Sequence, residues 1–447
     1  MSKTLSPDRI AKLPWLPPRL RPPEPITVRH ERLLWLVGIA ALIAEYDVSL
    51  FGMAIKQIQT DLSIPEDQLT TTVAIFRLGM IPALMLAYLA DIIGRRSLLM
   101  FTLLGAALST VATAFTTTQA EFIAAQTFAR MFIYCEELLC IVVIAEEFPE
   151  KVRGWAIGAL GALGALGAGL AAAMFALIDV LPFGWRALYL LGAIPLLWLL
   201  WARRNLPETQ RFREGLTDDE TMLGRWLRPA IGLLTHYPGR LGLLILTIAP
   251  YVFGQAAAVI LLTKHLQETH QWAPWQVSVL IIGGGLVAVI GNFSAGLASD
   301  RLGRKSVLAF GMLMVTAGFA LYYGTASTPV LIISWIVAIF FAFVAASILA
   351  ALGAELFPTS YRSVASGIRL LAWLMFGGIG LVAEGWIFAG GLSRLTEGTV
   401  TFGTNSHPEA VKLLLAFVPL AIIPALFLPE SARRSLEDIA PEKRRQA

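Results

Sequence analysis

The stretch LADIIGRRSLLMF at residues 89–101 returns as LASDRLGRKSVLAF at residues 297–310. Within it, Asp91 matches Asp300 and Gly94 matches Gly303, each 209 residues later. The same offset relates further pairs in a second motif: Glu146 and Glu355, Phe148 and Phe357, Pro149 and Pro358, Arg153 and Arg362, Gly158 and Gly367. Two unrelated motifs that share one offset indicate that the chain consists of two similar halves.

The composition places both halves in a membrane. Of the 447 residues, 56% are hydrophobic and only 15% are charged, whereas a soluble protein has about a quarter charged residues. Apolar runs of about twenty residues recur along the chain, the length that crosses the ~30 Å hydrocarbon core of a bilayer as a helix. We assign the net charge of +4 to membrane topology and expect no nucleic-acid partner.

The apolar runs predict an all-α membrane protein with twelve transmembrane helices in two six-helix halves. The predicted spans are roughly 33–55, 70–90, 97–117, 122–145, 154–178, 186–203, 239–262, 275–297, 306–324, 329–352, 364–389 and 409–428. The predicted domains are a mostly disordered, proline-rich cytoplasmic tail at 1–32, the N-terminal half at 33–205, a cytoplasmic linker at 206–236, the C-terminal half at 237–429 and a cytoplasmic tail at 430–447.

The distribution of basic residues predicts the orientation. With the N-terminus in the cytoplasm, the inside loops hold most of the 35 Lys and Arg residues. The outside loops then hold only Lys56, Arg186, Lys264, Arg394 and Lys412. By the positive-inside rule, we expect a multi-pass protein of the plasma membrane (the bacterial inner membrane) with both termini in the cytoplasm.

The repeated loop resembles the G-x-L-A-D-R-x-G-R-K signature of the major facilitator superfamily. The resemblance to this superfamily extends over the whole chain. The P-E-T and P-E-S ends of the halves and the E-x-x-P-x-x-x-R-G pattern are similar to the sugar porter and organic ion transporter branch. The resemblance implies two halves that rock about a central site. Departures bear on the substrate: Gln255 stands alone where sugar porters have paired glutamines, and Glu45 replaces a glycine.

The repeated charges predict a cytoplasmic gate that closes when acids and bases pair near the inner ends of the helices. Its predicted members are Asp91, Arg95, Arg96, Glu146, Arg153, Asp300, Arg304, Lys305, Glu355 and Arg362. The alternative is that these residues serve only as topology signals and helix caps.

Charges within the spans cost at least ~2.5–3.5 kcal/mol each on insertion scales, and those found here have no like-charged counterpart at the 209-residue offset. Arg130, Tyr134 and Glu137 share one helical face, and Glu136 points about 100° away. We predict that Glu45 or Asp47, together with Glu137 or Glu136, carries the coupled proton. The predicted substrate contacts are Arg77, Arg130, Tyr134, Tyr251, Gln255, Asn292, Arg369 and Trp373.

Each of these assignments has a structural alternative. Arg130 and Glu137 could be a pair that only braces their helix, and the polar and aromatic residues could be ordinary interior packing. Glu384, near the outer end of its span, is expected to be a surface or gate residue. No histidine falls within a predicted span, so we expect no histidine relay, and we expect no metal site and no cofactor.

These observations predict a secondary active transporter that works by alternating access, as a proton symporter of a small organic anion or polar metabolite. The alternative is an uncoupled facilitator or exporter of an organic cation or sugar-like solute. A receptor on the same scaffold is a rival from another class. An enzyme is not expected, because the sequence has no phosphate-binding Gly-Lys-Ser/Thr loop and no metal-ligand spacing. The expected partners are the small-molecule substrate, protons and the lipid bilayer, with the protein a monomer.

Overall fold

The computed structural model describes residues 9–11, 13, 21–89, 93–204, 231–358 and 361–432. Nearly all of these residues are helical. The helices are α1 Val28–Asp61, α2 Leu69–Arg77, α3 Met80–Tyr88, α4 Arg95–Ala114, α5 Gln119–Glu147, α6 Glu150–Phe175, α7 Trp185–Arg203, α8 Pro238–Ile260, α9 Leu262–Glu268, α10 Pro274–Leu302, α11 Arg304–Tyr322, α12 Thr328–Glu355, α13 Arg362–Phe388, α14 Gly391–Leu395, α15 His407–Leu415 and α16 Ile422–Phe427, with 3-10 turns at Glu66–Gln68 and Val418–Ala421.

The prediction of an all-α membrane protein is confirmed. In the described parts of the chain, eleven helical stretches are long and apolar enough to cross a membrane. The remaining long helix is α5, in which Arg130, Glu136 and Glu137 interrupt the apolar sequence. It has 29 residues, which is more than the ~20 that a span needs. Composition rather than length therefore sets α5 apart.

A helix cap and apolar packing fix the start of α1. Helix α1 begins at Val28, because the Thr27 hydroxyl accepts a hydrogen bond from the His30 amide (3.3 Å) and caps the helix. Leu13 and Ile26 are buried in a hydrophobic core with α1 residues. Residues before and after the start of α1 thus share one hydrophobic core.

Contacts divide the chain into two compact units. The first unit comprises Met1–Ser63, Ile75–Asp218 and Pro274–Ser278, and the second comprises Ile64–Ala74, Asp219–Ala273 and Val279–Ala447. Each unit thus holds a short segment of the other sequence half. Of the predicted linker at 206–236, only residues from 231 onward are described.

The two units repeat the same helix pairings. In the first unit α1 packs on α6 and α4 packs on α5, and in the second α8 packs on α13 and α11 packs on α12. The loop glycines also repeat: Gly94 has φ 93° and Gly303 has φ 91°, a region of backbone conformation that side chains disfavour. The duplication therefore extends from the sequence to local geometry.

Glycines allow α1 and α6 to approach closely. A Cβ at Gly167 would lie 1.9 Å from the Leu42 carbonyl oxygen, and one at Gly38 would lie 2.2 Å from Leu163 Cδ1. At Gly161 a Cβ would meet nothing within 4 Å. Small residues at some positions of this face are therefore required by packing.

Candidate substrate and proton sites

The first unit contains a buried ion pair that links α1 to α5. Asp47 and Arg130 are 1% and 2% exposed, and Arg130 Nη1 lies 3.9 Å from Asp47 Oδ1. The Thr110 hydroxyl donates to Asp47 Oδ2 (2.9 Å), and Arg130 Nη2 donates to Gln126 Oε1 (3.2 Å). Arg130 therefore pairs with Asp47 rather than with Glu137.

The facing atoms of this pair are not hydrogen-bonded to each other. Among the described residues, Asp47 Oδ1 and Arg130 Nη1 are buried and have no hydrogen-bond partner. The guanidinium carbon of Arg130 lies 5.6 Å from the centre of the Phe76 ring, within the range of a cation–π contact. The N–H of Arg130 Nη1 is therefore a buried donor that has no acceptor among the described residues.

Further charged groups surround this pair. Glu45 and Glu137 are half-buried, and their carboxylates interact electrostatically with each other. Glu45 also interacts with Arg130, and Arg77 interacts with both Arg130 and Tyr134. The structure thus groups six of the sequence-predicted residues in the first unit.

Glu136 lies in a separate, fully buried network of the first unit. Its carboxylate accepts hydrogen bonds from the Arg203 guanidinium and from the Thr102 hydroxyl (2.6 Å). Arg203 also donates to the Leu36 carbonyl oxygen (2.9 Å), and its side chain is 0% exposed. The sequence prediction missed Arg203, because it is the last residue of a predicted span and looked like a topology signal.

In the second unit the predicted substrate contacts do not form one cluster of hydrogen bonds. Tyr251 is fully buried, and its ring packs edge-to-face on Trp373 with centroids 5.8 Å apart. The Gln255 carbonyl oxygen is buried without a hydrogen-bond partner in the described part of the chain. Asn292 accepts a hydrogen bond from Ser347, and the aliphatic part of Arg369 lies against Gly353.

The predicted cytoplasmic charges pair within each unit. Arg95 contacts Glu146 at 2.9 Å in the first unit, and Arg304 contacts Glu355 at 3.0 Å in the second. Arg304 also contacts Asp300 at 2.9 Å. These matching pairs follow the sequence repeat.

Three of the other predicted gate residues donate hydrogen bonds to backbone carbonyl oxygens. Arg96 donates to the Arg204 carbonyl oxygen (2.6 Å), Lys305 to that of Leu426 (3.0 Å) and Arg362 to that of Ala354 (2.9 Å). Arg153 Nε is buried without a partner in the described ranges. Asp91 lies outside the described residues.

Glu430, which was not predicted, caps α11. Its carboxylate accepts from the backbone amides of Arg304 (2.8 Å) and Lys305 (3.3 Å). Burial alone would raise the pKa of Glu430, but these amides and those of Ser431 and Ala432 together hold that pKa below its ordinary value.

A second cluster lies in the second unit, on the side that the sequence predicts to be outside, and contains Glu384, which was expected to be a surface or gate residue. Glu384 is fully buried and interacts with His407 Nδ1 (2.7 Å). The expectation that no histidine falls within a span is wrong, because His265 belongs to the apolar stretch Pro238–Glu268 and His407 begins the stretch His407–Phe427. The predicted spans followed the apolar runs and therefore left out the polar ends of these two helical stretches.

Two repeated units of long apolar helices, both with buried ionisable groups, define a membrane transporter. The chain belongs to the Major Facilitator Superfamily, whose sequence profile matches residues 37–263 and again residues 243–446. It is accordingly a multi-pass transporter of a small molecule, not an enzyme.

Individual relatives share about a quarter of their aligned residues with this chain. The chain is 25% identical over 363 residues to a Bacillus subtilis (strain 168) protein named for niacin/nicotinamide transport, NiaP, covering 77% of this chain and 84% of that protein. It is 24% identical over 378 residues to the niacin transporter NiaP of Acinetobacter baylyi, with the same coverage.

Solved structures share the fold. A D-xylose-proton symporter superposes with a TM-score of 0.71 at 17% identity, covering 91% of this chain and 99% of the symporter. A bacterial homolog of the human lysosomal transporter Spinster superposes with a TM-score of 0.69 at 16% identity, covering 90% of this chain and 96% of that protein.

Proposed function

We propose that this protein is a proton-coupled symporter of a small aromatic carboxylate such as niacin. The observation that supports this most is the Asp47–Arg130 pair, whose facing oxygen and nitrogen atoms are buried without hydrogen bonds in the described residues. An arginine is suited to bind a carboxylate through two parallel hydrogen bonds. The relatives named for niacin and the symporter named for proton transport agree with this substrate class and this coupling.

The chemistry of the pair explains how one proton could accompany one anion. A substrate carboxylate that binds Arg130 competes with Asp47 for the same guanidinium. Asp47 then loses the positive charge that favours its ionised form, so it can take up a proton. The anion and the proton together add no net charge to the buried site, which limits the cost of desolvation.

Glu45 and Glu137 offer a second place for the proton. Two carboxylates that interact in a half-buried site cannot both remain ionised without cost, so one of them binds a proton readily. We therefore assign the proton to the group formed by Asp47, Glu45 and Glu137. Glu136 is a weaker candidate, because its partner Arg203 already neutralises it.

The first test is uptake of radiolabelled nicotinate into proteoliposomes under an inward proton gradient. Glu137→Gln should abolish gradient-driven uptake but leave exchange of internal for external nicotinate, since exchange needs no net proton movement. Glu121→Gln, at the exposed start of the same helix, is the matched control and should behave as the wild type. Normal gradient-driven uptake by Glu137→Gln would remove Glu137 from the mechanism.

A matched pair of ligands tests the anion site. Nicotinamide has the same ring as nicotinate but no carboxylate. Arg130→Met should therefore weaken binding of nicotinate far more than binding of nicotinamide, measured as the ligand-induced rise in melting temperature. Equal losses for the two ligands would argue that Arg130 only supports the fold.

The uncoupled alternative is favoured by one feature, the interacting carboxylates of Glu45 and Glu137, which could also bind an organic cation. That transporter would move its substrate equally well after the proton gradient is collapsed.

The distribution of Lys and Arg supports cytoplasmic termini in a plasma membrane, as in the bacterial inner membrane. We propose that the protein acts as a monomer.

A further inference from the structure

One short segment belongs to the first half by sequence and to the second unit by contacts. Ile64–Ala74 is connected at Ser63 and at Ile75 to the first unit, yet it clusters with the second unit. Two of its polar side chains, Glu66 and Thr70, reach buried or half-buried partners there. A change in the contacts of Glu66 and Thr70 would therefore change how firmly Ile64–Ala74 is held in the second unit.

The contacts converge on one histidine. His407 Nε2 lies 2.9 Å from Glu66 Oε2, and Nδ1 lies 2.7 Å from Glu384 Oε1. The Thr70 hydroxyl donates to the other oxygen of Glu384 (2.9 Å). Phe388 stacks on the imidazole with ring centroids 4.2 Å apart, which fixes the plane of the ring.

Hydrogen-bond chemistry sets the number of protons in this arrangement. A neutral imidazole has one N–H, and its other nitrogen can only accept. An ionised carboxylate can only accept as well. Two carboxylates can therefore both bond to His407 only if the group holds one extra proton, either on the imidazole or on one carboxyl group.

We propose that His407, Glu384 and Glu66 form a proton-dependent clasp that holds Ile64–Ala74 in the second unit only while the three groups share that extra proton. When the proton leaves, one of the two carboxylates faces the unprotonated nitrogen of the imidazole. Both groups are then acceptors, so the hydrogen bond is lost and the two groups repel each other. The side chain of Glu66 is 47% exposed, so the proton can exchange with water.

Other charged groups lie next to the clasp, and one of them contacts Glu66 as well. Lys264 contacts Glu66 (3.0 Å) and Glu268 (2.8 Å), and its own side chain is only 3% exposed. His265 and Tyr323 line the same cavity of about 350 Å³ as Glu66, Lys264 and His407. Lys264 contacts one oxygen of Glu66 and His407 contacts the other, so the bond that needs the shared proton is the one through His407.

The clasp would respond to protons on the predicted outer side. Proton uptake there would fix Ile64–Ala74, and proton loss would free it. This inference does not depend on the substrate or on the coupling acids of the first unit. The experiment below needs neither, so its failure would leave the proposed function untouched.

The test is the mobility of a nitroxide spin label on Gln68→Cys, an exposed position in the turn Glu66–Gln68. The native residues Cys135 and Cys140 are buried, so the label attaches to the new cysteine. Between about pH 6 and pH 9, the label should change from immobile to mobile as the clasp loses its proton. An unchanged spectrum over this range would overturn the proposal.

Two conservative variants should shift the clasp in opposite directions. His407→Gln can donate to only one of the two carboxylates, so the label should be mobile at every pH. Glu384→Gln replaces the proton by an amide that donates to a neutral His407, so the label should be immobile at every pH. His270→Gln, a neighbouring histidine outside the clasp, should keep the wild-type transition. The same transition in His407→Gln, or a mobile label in Glu384→Gln, would refute the clasp.

Discussion

Replacing Arg203 by methionine should destabilise the protein strongly, because it leaves the Glu136 carboxylate buried without a counter-charge. The Arg203 and Glu136 side chains are 0% and 4% exposed, so water cannot substitute for the lost partner. Removing one member of a buried pair typically costs about 3–5 kcal/mol. The Thr102 hydroxyl remains as a donor to Glu136, which places the expected loss at the lower end.

The expected loss is large enough to measure by thermal unfolding in detergent. At roughly 2–4 °C per kcal/mol for a cooperative unit of about 200 residues, Arg203→Met should lower the melting temperature by on the order of 6–12 °C. The double variant Arg203→Met with Glu136→Gln should recover most of this loss, because the uncompensated charge is gone and a neutral side chain still accepts from Thr102. Such coupling between neighbours is what a double-mutant cycle measures.

The same variants decide the role of Glu136. If the double variant is no more stable than Arg203→Met, the stability argument from the buried charge is refuted. If it is stable and still takes up substrate under a proton gradient, Glu136 serves the fold. If it is stable but has lost gradient-driven uptake while keeping exchange, Glu136 carries the proton after all.

Two further predictions concern packing and pH. Gly167→Ala should destabilise by about 1–3 kcal/mol, as overpacking does, since the new Cβ would lie 1.9 Å from the Leu42 carbonyl oxygen. Gly161→Ala meets nothing within 4 Å and should not change the melting temperature; equal shifts would contradict the packing argument. The pKa of Glu430 is below its ordinary 4.5, so its carboxylate stabilises the fold above the unfolded-state pKa. That contribution is lost as the pH falls through the lower folded-state pKa. Melting temperatures should therefore converge between wild type and Glu430→Gln only in acid, and parallel curves would refute the role of Glu430.

The fold could be predicted from sequence because a bilayer leaves few choices. Apolar runs of spanning length must be helices, since each backbone polar group needs a partner inside the same segment. The repeat then supplied the division into halves. Helix ends were less predictable: α1 begins at Val28 rather than at residue 33 because a side-chain cap at Thr27 fixes its start.

The candidate site could be predicted only in part. Helical phase placed Glu136 on a different face from Arg130 and Glu137, and in the structure Glu136 indeed belongs to another network. Phase within one helix cannot identify partners on other helices, however. Thr110 and Arg203 were therefore missed, and Asp47 rather than Glu137 turned out to be the partner of Arg130.

The sequence repeat gives an independent reason to regard the charges of the first unit as functional. At the 209-residue offset, Asp47 corresponds to Ala256 and Arg130 to Ile339, so the second unit builds the same helix pairings with apolar residues. A buried ion pair is often no more stable than apolar residues of similar volume. The fold alone therefore does not require Asp47 or Arg130. The proposal that a ligand and a proton bind at Asp47 and Arg130 gives these charges a reason to be there that the scaffold does not supply, since their facing atoms lack hydrogen bonds among the described residues.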